Sequence, residues 1–373
     1  MDVRKIAVIG SGLMGSGIAY VSAWNGYEVT MVDINQDLVD KGMERLRTDV
    51  MTGIDKGKMS ITEAEGLMGR LSGTTDTETA VKDADLVIEA IFENMDVKKE
   101  VFAKVDAVAP AHCVLATNTS SLSIDELSTA TGRPDKFIGM HYFSPVPAMK
   151  LLEIVLGEKT SEDTINIAKA VGEKQGKKTV LAKDSPGFIV NRLLMPVMRE
   201  AVLMLERGEA TKEEIDTAMV SIGKAPVGPF SLADYVGLDI TFNAMSTLYR
   251  EIGNCFKPPD TLAKLVESGA IGMKSKKGFY SYAEDSEPEE PKGADSEWIV
   301  ERLNMPGIRE AMILVDDGIA NKEDINMAMK LGASWPMGPF EMADKYGLDR
   351  CREFIGKLES ELGDCYSVPK FLK

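Results

Sequence analysis

The chain has 373 residues, a formal net charge of −16 and an apolar share of 44%, enough for a sizeable core. That length exceeds a typical single domain, so two or three are expected. The acidic balance argues against a general role on nucleic acid or at a membrane surface, and an anionic ligand would need a local basic patch. No run approaches a membrane span. The opening M-D-V-R-K leads at once into a predicted strand, which leaves no room for a signal or transit peptide. A soluble, cytoplasmic protein is the expectation. The four cysteines, Cys113, Cys255, Cys351 and Cys365, show no C-x-x-C and no metal-ligand spacing. They read as reduced thiols, and no metal site is expected.

In chain order, the apolar run Lys5 to Ile9 predicts a buried strand, a glycine-rich turn follows, and Leu13 to Trp24 predicts a helix. Gly26 ends that helix and Glu28 to Val32 is a second strand. Gly10 permits the tight turn, Gly12 lets a pyrophosphate approach the backbone, and Gly15 lets helix and strand pack closely. Leu13 and Met14 open the helix whose N-terminus faces the phosphates. Asp33 ends the second strand, where a carboxylate accepts hydrogen bonds from ribose hydroxyls. It would repel a 2′-phosphate, and Ile34 and Asn35 offer no cation, so the pattern predicts NAD rather than NADP. Further strands are expected at Asp85 to Ala90, Val114 to Thr117 and Phe137 to Phe143, with helices around 95–108 and 123–130 between them. Leu151 to Val155 and Lys178 to Ala182 read as added strands around a helix at 161–175. The alternation implies a doubly wound sheet.

Asn118-Thr119-Ser120-Ser121 follows a strand at the carboxyl edge, where ligands bind in such sheets. Ser121 or Ser123 could instead cap the next helix. His141 stands near the end of its strand, before the turn Ser144-Pro145-Val146-Pro147. If the flanking segments pair as a hairpin centred near Pro147, His141 falls opposite Glu153, and cross-strand neighbours touch. The carboxylate would then orient the ring and raise its basicity, as proton transfer requires. His112, in the loop P-A-H-C with no acidic partner near in sequence, reads as a residue without such a role. The run A-K-D-S-P-G-F-I-V-N191 predicts a long helix capped by Asp184 or Ser185, with Pro186 in the first turn and Asn191 about one turn in, able to bind a substrate oxygen.

G-S-G-L-M-G-S-G, E-A-I-F-E-N, T-N-T-S-S-L, G-M-H-Y-F-S-P-V-P-A-M-K-L-L-E and D-S-P-G-F-I-V-N-R-L-L-x-P, in this order and spacing, resemble the L-3-hydroxyacyl-CoA dehydrogenase family over roughly residues 1–283. The resemblance implies acid–base catalysis by His141 and Glu153, with Ser120 and Asn191 holding the substrate. On the cofactor side it implies Glu93, Lys98 and, ahead of G-F-Y, Lys274, while Asn118 and Ser120, by their place at the carboxyl edge, can hydrogen-bond the nicotinamide side or the substrate. The family position commonly Asn is Ser144 here, which can still donate to the nicotinamide carboxamide. The segment 35–58, carrying Lys41, Arg45, Arg47, Lys56 and Lys58, resembles the helical arm over coenzyme A; Arg45, Arg47 and Lys56 are the candidate CoA cations. A solvated helix face is the alternative for any one of them.

An internal repeat follows. F-I-V-N-R-L-L-M-P-V-M-R-E-A (188–201) recurs as W-I-V-E-R-L-N-M-P-G-I-R-E-A (298–311), and P-V-G-P-F-S-L-A-D-Y-V-G-L-D (226–239) recurs as P-M-G-P-F-E-M-A-D-K-Y-G-L-D (336–349), both displaced by 110 residues. This period is too long for a solenoid and reads as a duplicated helical domain. The expected architecture is an α/β Rossmann-type doubly wound sheet (1–185), then an all-α helical domain in two tandem copies (186–283 and 297–373) joined by an acidic linker (284–296). The second copy has Glu301 where the first has Asn191, and it lacks D-S-P-G, so it is expected to be catalytically silent. It could occupy the place of a dimer partner, giving a monomeric pseudo-dimer; a homodimer is the alternative.

The function implied is NAD-dependent interconversion of (S)-3-hydroxyacyl-CoA and 3-ketoacyl-CoA in fatty-acid metabolism, short-chain such as 3-hydroxybutyryl-CoA. The alternatives are a related dehydrogenase of a free hydroxy acid or sugar acid, and a non-catalytic NAD- or CoA-binding protein.

Overall fold

The computed structural model describes residues 2–283 and 296–373, so most of the expected linker lies outside the described residues. The chain divides into two compact units, Met1–Asp184 and Ser185–Lys373.

The first unit is built in the order β1 (Lys5–Ile9), α1 (Leu13–Trp24), β2 (Glu28–Val32), α2 (Gln36–Asp55), α3 (Ile61–Met68), β3 (Leu71–Thr74), α4 (Thr77–Val81), β4 (Leu86–Glu89), α5 (Met95–Val108), β5 (Val114–Thr117), α6 (Ile124–Ser128), β6 (Phe137–Tyr142), β7 (Leu151–Leu156), α7 (Glu162–Lys174) and β8 (Lys178–Lys183). One eight-stranded sheet results, in the order β3-β2-β1-β4-β5-β6-β7-β8. β1 to β6 run parallel; β7 turns back antiparallel to β6 and pairs in parallel with β8. The central strands are buried on both faces, as in β4 and β5, where every residue is buried. This explains their continuous apolar runs. Ile6, Val8, Ile18, Met31, Leu86 and Ile138 belong to the core that α1 covers.

The second unit holds α8 (Val190–Glu206), α9 (Lys212–Ser221), α10 (Pro229–Val236), α11 (Leu238–Glu251), α12 (Asp260–Glu267), α13 (Glu297–Asp316), α14 (Lys322–Gly332), α15 (Pro339–Tyr346) and α16 (Leu348–Leu362). α9, α10 and α11 start 110 residues before α14, α15 and α16, and α8 and α13 each contain a proline, Pro196 and Pro306. The long helices α8 and α13 pack on one another and share an apolar core that includes Val197, Ala201, Ile299 and Leu303. Their polar contacts are reciprocal. Arg192 pairs with Glu310 at 2.5 Å, and Arg302 with Glu200 at 2.7 Å. Arg302 follows Arg192 by 110 residues, as Glu310 follows Glu200. The guanidinium of Arg192 lies over Phe256, and that of Arg302 over Tyr366, at the equivalent position. This is the i-to-j, j-to-i pattern of a two-fold interface, here between two segments of one chain.

Two expectations change. The helix expected to open at Pro186 begins at Val190, because Gly187 (φ 76°) and Phe188 (φ 49°) adopt left-handed conformations that interrupt it. Asn191 is therefore the second residue of α8. Asp184 does not cap that helix; it accepts from Ser123 Oγ and from the backbone N–H of Asp125 at the start of α6. The cysteines are not all thiols. Cys255 and Cys365 form a disulfide, separated by the same 110 residues. Equivalent positions of two copies meet each other only on a two-fold axis, a relation invisible to a search for short motifs. Cys113 and Cys351 are free and buried.

Candidate active site

The site of the first unit lies at the carboxyl edge of its parallel strands. At the end of β1, Gly10 adopts φ 101°, and a Cβ there would stand 2.6 Å from the Ala90 carbonyl oxygen. A Cβ on Gly15 would stand 1.9 Å from the Gly10 oxygen, so helix and strand pack here only through glycine. Beside Gly12 there is open space. α1 begins at Leu13 and Met14 with no side-chain cap and no acidic residue in its first turn, which leaves its orphan N–H groups for an anion. Asp33 takes the backbone N–H and the hydroxyl of Ser11 on one carboxylate oxygen, at 2.8 and 2.7 Å, and ties the turn to the end of β2. An uncapped helix start, open backbone at Gly12 and an acidic strand end fit the pyrophosphate and ribose of a dinucleotide.

At the end of β4, Glu89 is fully buried and binds Lys98 Nζ at 2.6 Å, Thr117 Oγ1 at 2.7 Å and the Ile91 N–H at 2.7 Å. Lys98, itself buried, also reaches Glu93 at 3.2 Å. Glu93 accepts from Thr119 Oγ1, from the backbone and hydroxyl of Ser120 and from Ser121 Oγ. Burial pushes the Glu93 carboxyl up, but the Lys98 ammonium and the hydrogen bonds from Thr119 and Ser120 outweigh it, so its pKa lies below the ordinary value. Glu89 is a member of this cluster that sequence reasoning missed. The signal was the first glutamate of E-A-I-F-E. Asn118 spends its side-chain oxygen on the Tyr142 N–H at 2.9 Å, tying the end of β5 to β6. Ser123, not Ser121, caps α6.

β6 and β7 pair antiparallel in a register that sets His141 opposite Glu153. Nδ1 of His141 lies 2.6 Å from Glu153 Oε2, with the imidazole 8% exposed and the carboxylate fully buried. The imidazole packs on Phe143. His112 has a partner after all, Asp85 at 3.0 Å, remote in sequence. That pair sits at the start of β4, the opposite edge of the sheet from His141. Ser144 is exposed at the head of the loop, before a cis peptide bond to Pro145.

Next to the glycine-rich turn is a cleft of about 420 Å³ lined by Ser16, Tyr20, Arg45, Lys56, Lys58 and Pro147, among others. Arg45, Asp49 and Thr52 lie on one face of α2 and Lys56 just past its C-terminal end; Arg47 is exposed and not in the lining. Nη1 of Arg45 also donates to the Ser11 carbonyl and Ser16 Oγ. Asp49 shares the cleft, and its burial raises the carboxyl pKa despite the pull of Arg45.

In the second unit, Asn191 stands in the first turn of α8. Lys274 is half exposed, with Nζ 3.8 Å from Asp239. Glu301, at the place of Asn191 in the second copy, is bound by Arg350 through two hydrogen bonds.

Among the described residues no group of His, Cys, Asp or Glu side chains could hold a metal, and no helix is long and apolar enough to cross a membrane.

The chain is similar to known proteins over both units. The 3-hydroxyacyl-CoA dehydrogenase NAD binding domain matches residues 5–185, and the C-terminal domain of the same family matches 187–282 and again 298–373. A protein of Bacillus subtilis called a probable 3-hydroxybutyryl-CoA dehydrogenase is 42% identical over 76% of this chain and 99% of its own length. The 3-hydroxybutyryl-CoA dehydrogenase of Clostridioides difficile is 44% identical over 74% of this chain and 99% of its own. The crystal structure of 3-hydroxybutyryl-CoA dehydrogenase from Escherichia coli K12 superposes with a TM-score of 0.92 at 27% identity, covering 100% of this chain and 98% of that one. With both of its domains matched, and the C-terminal one matched twice, this chain belongs to the NAD-dependent 3-hydroxyacyl-CoA dehydrogenase family.

Proposed function

We propose that this enzyme interconverts a short-chain (S)-3-hydroxyacyl-CoA, such as 3-hydroxybutyryl-CoA, and its 3-keto form through His141 and Glu153. The observation that carries the reading is the buried 2.6 Å pair at the edge of the sheet that also bears the glycine-rich turn. Bound NAD supplies the hydride acceptor for C3. With Nδ1 engaged by Glu153, His141 offers Nε2 to the 3-hydroxyl and takes its proton; in the reverse direction it returns that proton to the 3-keto oxygen. Glu153 fixes the ring tautomer and stabilises the imidazolium. Ser120 and Asn191 are assigned to the substrate oxygens, Gly10, Gly12, Leu13, Met14, Gly15 and Asp33 to the pyrophosphate and ribose, and Glu93, Lys98, Asn118, Ser144 and Lys274 to the nicotinamide side.

Arg45 and Lys56, with Lys58, give an acidic chain the local cations that coenzyme A phosphates require. Arg47, outside the cleft, is left out of that assignment. The deciding experiment follows NADH absorbance with acetoacetyl-CoA and, separately, with free acetoacetate. Turnover only with the thioester is expected; turnover only with the free acid overturns the CoA assignment.

The reciprocal Arg–Glu pairs of the second unit support a monomer in which the second copy stands in for a partner, and the Glu301–Arg350 pair supports its silence. Light scattering should give the mass of one chain, 40.6 kDa; twice that mass counts against the proposal. Cytoplasmic residence is part of the same reading.

A further inference from the structure

The turn between α7 and β8 carries buried polar groups that the proton and hydride chemistry does not use. Gln175 and Lys177 are 4% and 5% exposed. Between them Gly176 reverses the chain at φ 75°. The amide of Gln175 accepts from Tyr142 Oη at 2.7 Å and donates to Ser22 Oγ at 2.8 Å, linking the residue after His141 to α1. The ammonium of Lys177 donates to the carbonyls of Val146 and Met149, the latter at 2.8 Å.

Those carbonyls belong to the loop between the strands of His141 and Glu153. The same loop supplies Pro145, Val146, Pro147 and Ala148 to the wall of the cleft. The loop also packs on α1. A Cβ on Gly17 would lie 2.9 Å from Val146 Cβ, so the helix accepts Val146 only at a glycine. The loop is thus fixed at two points, by the Gly17 contact with the Val146 side chain and by Lys177 on its carbonyls. Burial, aided by the nearby Lys150, brings the Lys177 pKa down to about 8. A buried ammonium held by carbonyls is costly compared with an apolar side chain of the same length, so packing alone does not account for it.

We propose that Lys177 is a positioning residue: its ammonium sets the course of the 144–149 loop and thereby the wall against which the acyl-CoA binds. The inference rests on the reading of the cleft as the CoA site. Its test is the full-length Lys177→Met enzyme, assayed for KM and kcat with acetoacetyl-CoA and for NADH binding by fluorescence. KM for acetoacetyl-CoA should rise about tenfold, equivalent to ~1.4 kcal/mol of binding, with kcat and NADH binding changed far less. A purely structural lysine would lower the melting temperature without this split between KM and kcat. A folded Lys177→Met enzyme with wild-type KM overturns the proposal. Should Met prevent folding, Lys177→Gln keeps a donor for one carbonyl. A smaller rise in KM is then expected, and no rise overturns the proposal. Lys56→Ala separates the two ideas. If it leaves KM unchanged while Lys177→Met raises it, Lys56 is no CoA cation and the loop wall carries the binding; if Lys56→Ala raises KM and Lys177→Met does not, the cleft reading stands and the role of Lys177 falls; if neither raises KM, both fall.

Discussion

Replacing Glu153 with Gln removes one charge and little else. Glutamine keeps an oxygen that can accept the Nδ1–H of His141, so the ring should hold its place. The two groups are 2.6 Å apart in the structure and both are buried. Taking the charge centres of imidazolium and carboxylate as about 4 Å apart, with an effective dielectric constant of ~20, their attraction is about 4 kcal/mol. At ~1.36 kcal/mol per decade, kcat should fall by about three orders of magnitude. The assay is NADH absorbance at saturating acetoacetyl-CoA, with a melting curve and an NADH-binding titration to show that the fold and cofactor site survive. A folded Glu153→Gln enzyme with kcat within tenfold of wild type would refute the argument that the carboxylate acts through its charge on His141.

The other predictions concern the second unit and the thiols. Glu200 is 1% exposed and accepts from Arg207, Arg302 and Tyr366. Glu200→Ala leaves the buried Arg302 without its partner and should cost about 3–5 kcal/mol, read by denaturant unfolding; a loss below 1 kcal/mol refutes the buried-pair account. Burial pushes the Cys113 thiol up to about 12 and the Cys351 thiol up to about 11. Both therefore stay protonated and unreactive in the folded chain at pH 8, where native protein should react with no thiol reagent. Unfolded without reductant it should show two thiols, and after reduction four; four without reduction excludes the Cys255–Cys365 bond.

Most of the sheet was legible because its strands are short apolar runs between breakers. β3 was not. Its four residues, Leu-Ser-Gly-Thr, bury only Leu71, so an edge strand here carries neither alternation nor an apolar run. The His141–Glu153 register was readable because a proline turn lies midway between two apolar strands, and a hairpin has period 2. The partners of Glu89 and Lys177 were not readable. Lys98 lies nine residues from Glu89, and the acceptors of Lys177 are backbone carbonyls, which no side-chain pattern reports. The start of α8 was misplaced because Pro and Gly near a helix start serve equally in a cap and in the left-handed turn that precedes this helix.

The reciprocal packing of α8 and α13 also changes what a mutation can do. In a homodimer every substitution at a two-fold interface appears on both sides at once. With both sides written in one gene, each can drift alone. Phe256 and Tyr366 show the result: only the tyrosine offers a hydroxyl, and it donates to Glu200, while Glu310 takes Arg309 instead. Likewise Glu301 and Arg350 pair in the second copy where the first has Asn191 and Ile240. Symmetry gave the interface its plan, and covalent linkage released each half from having to keep it.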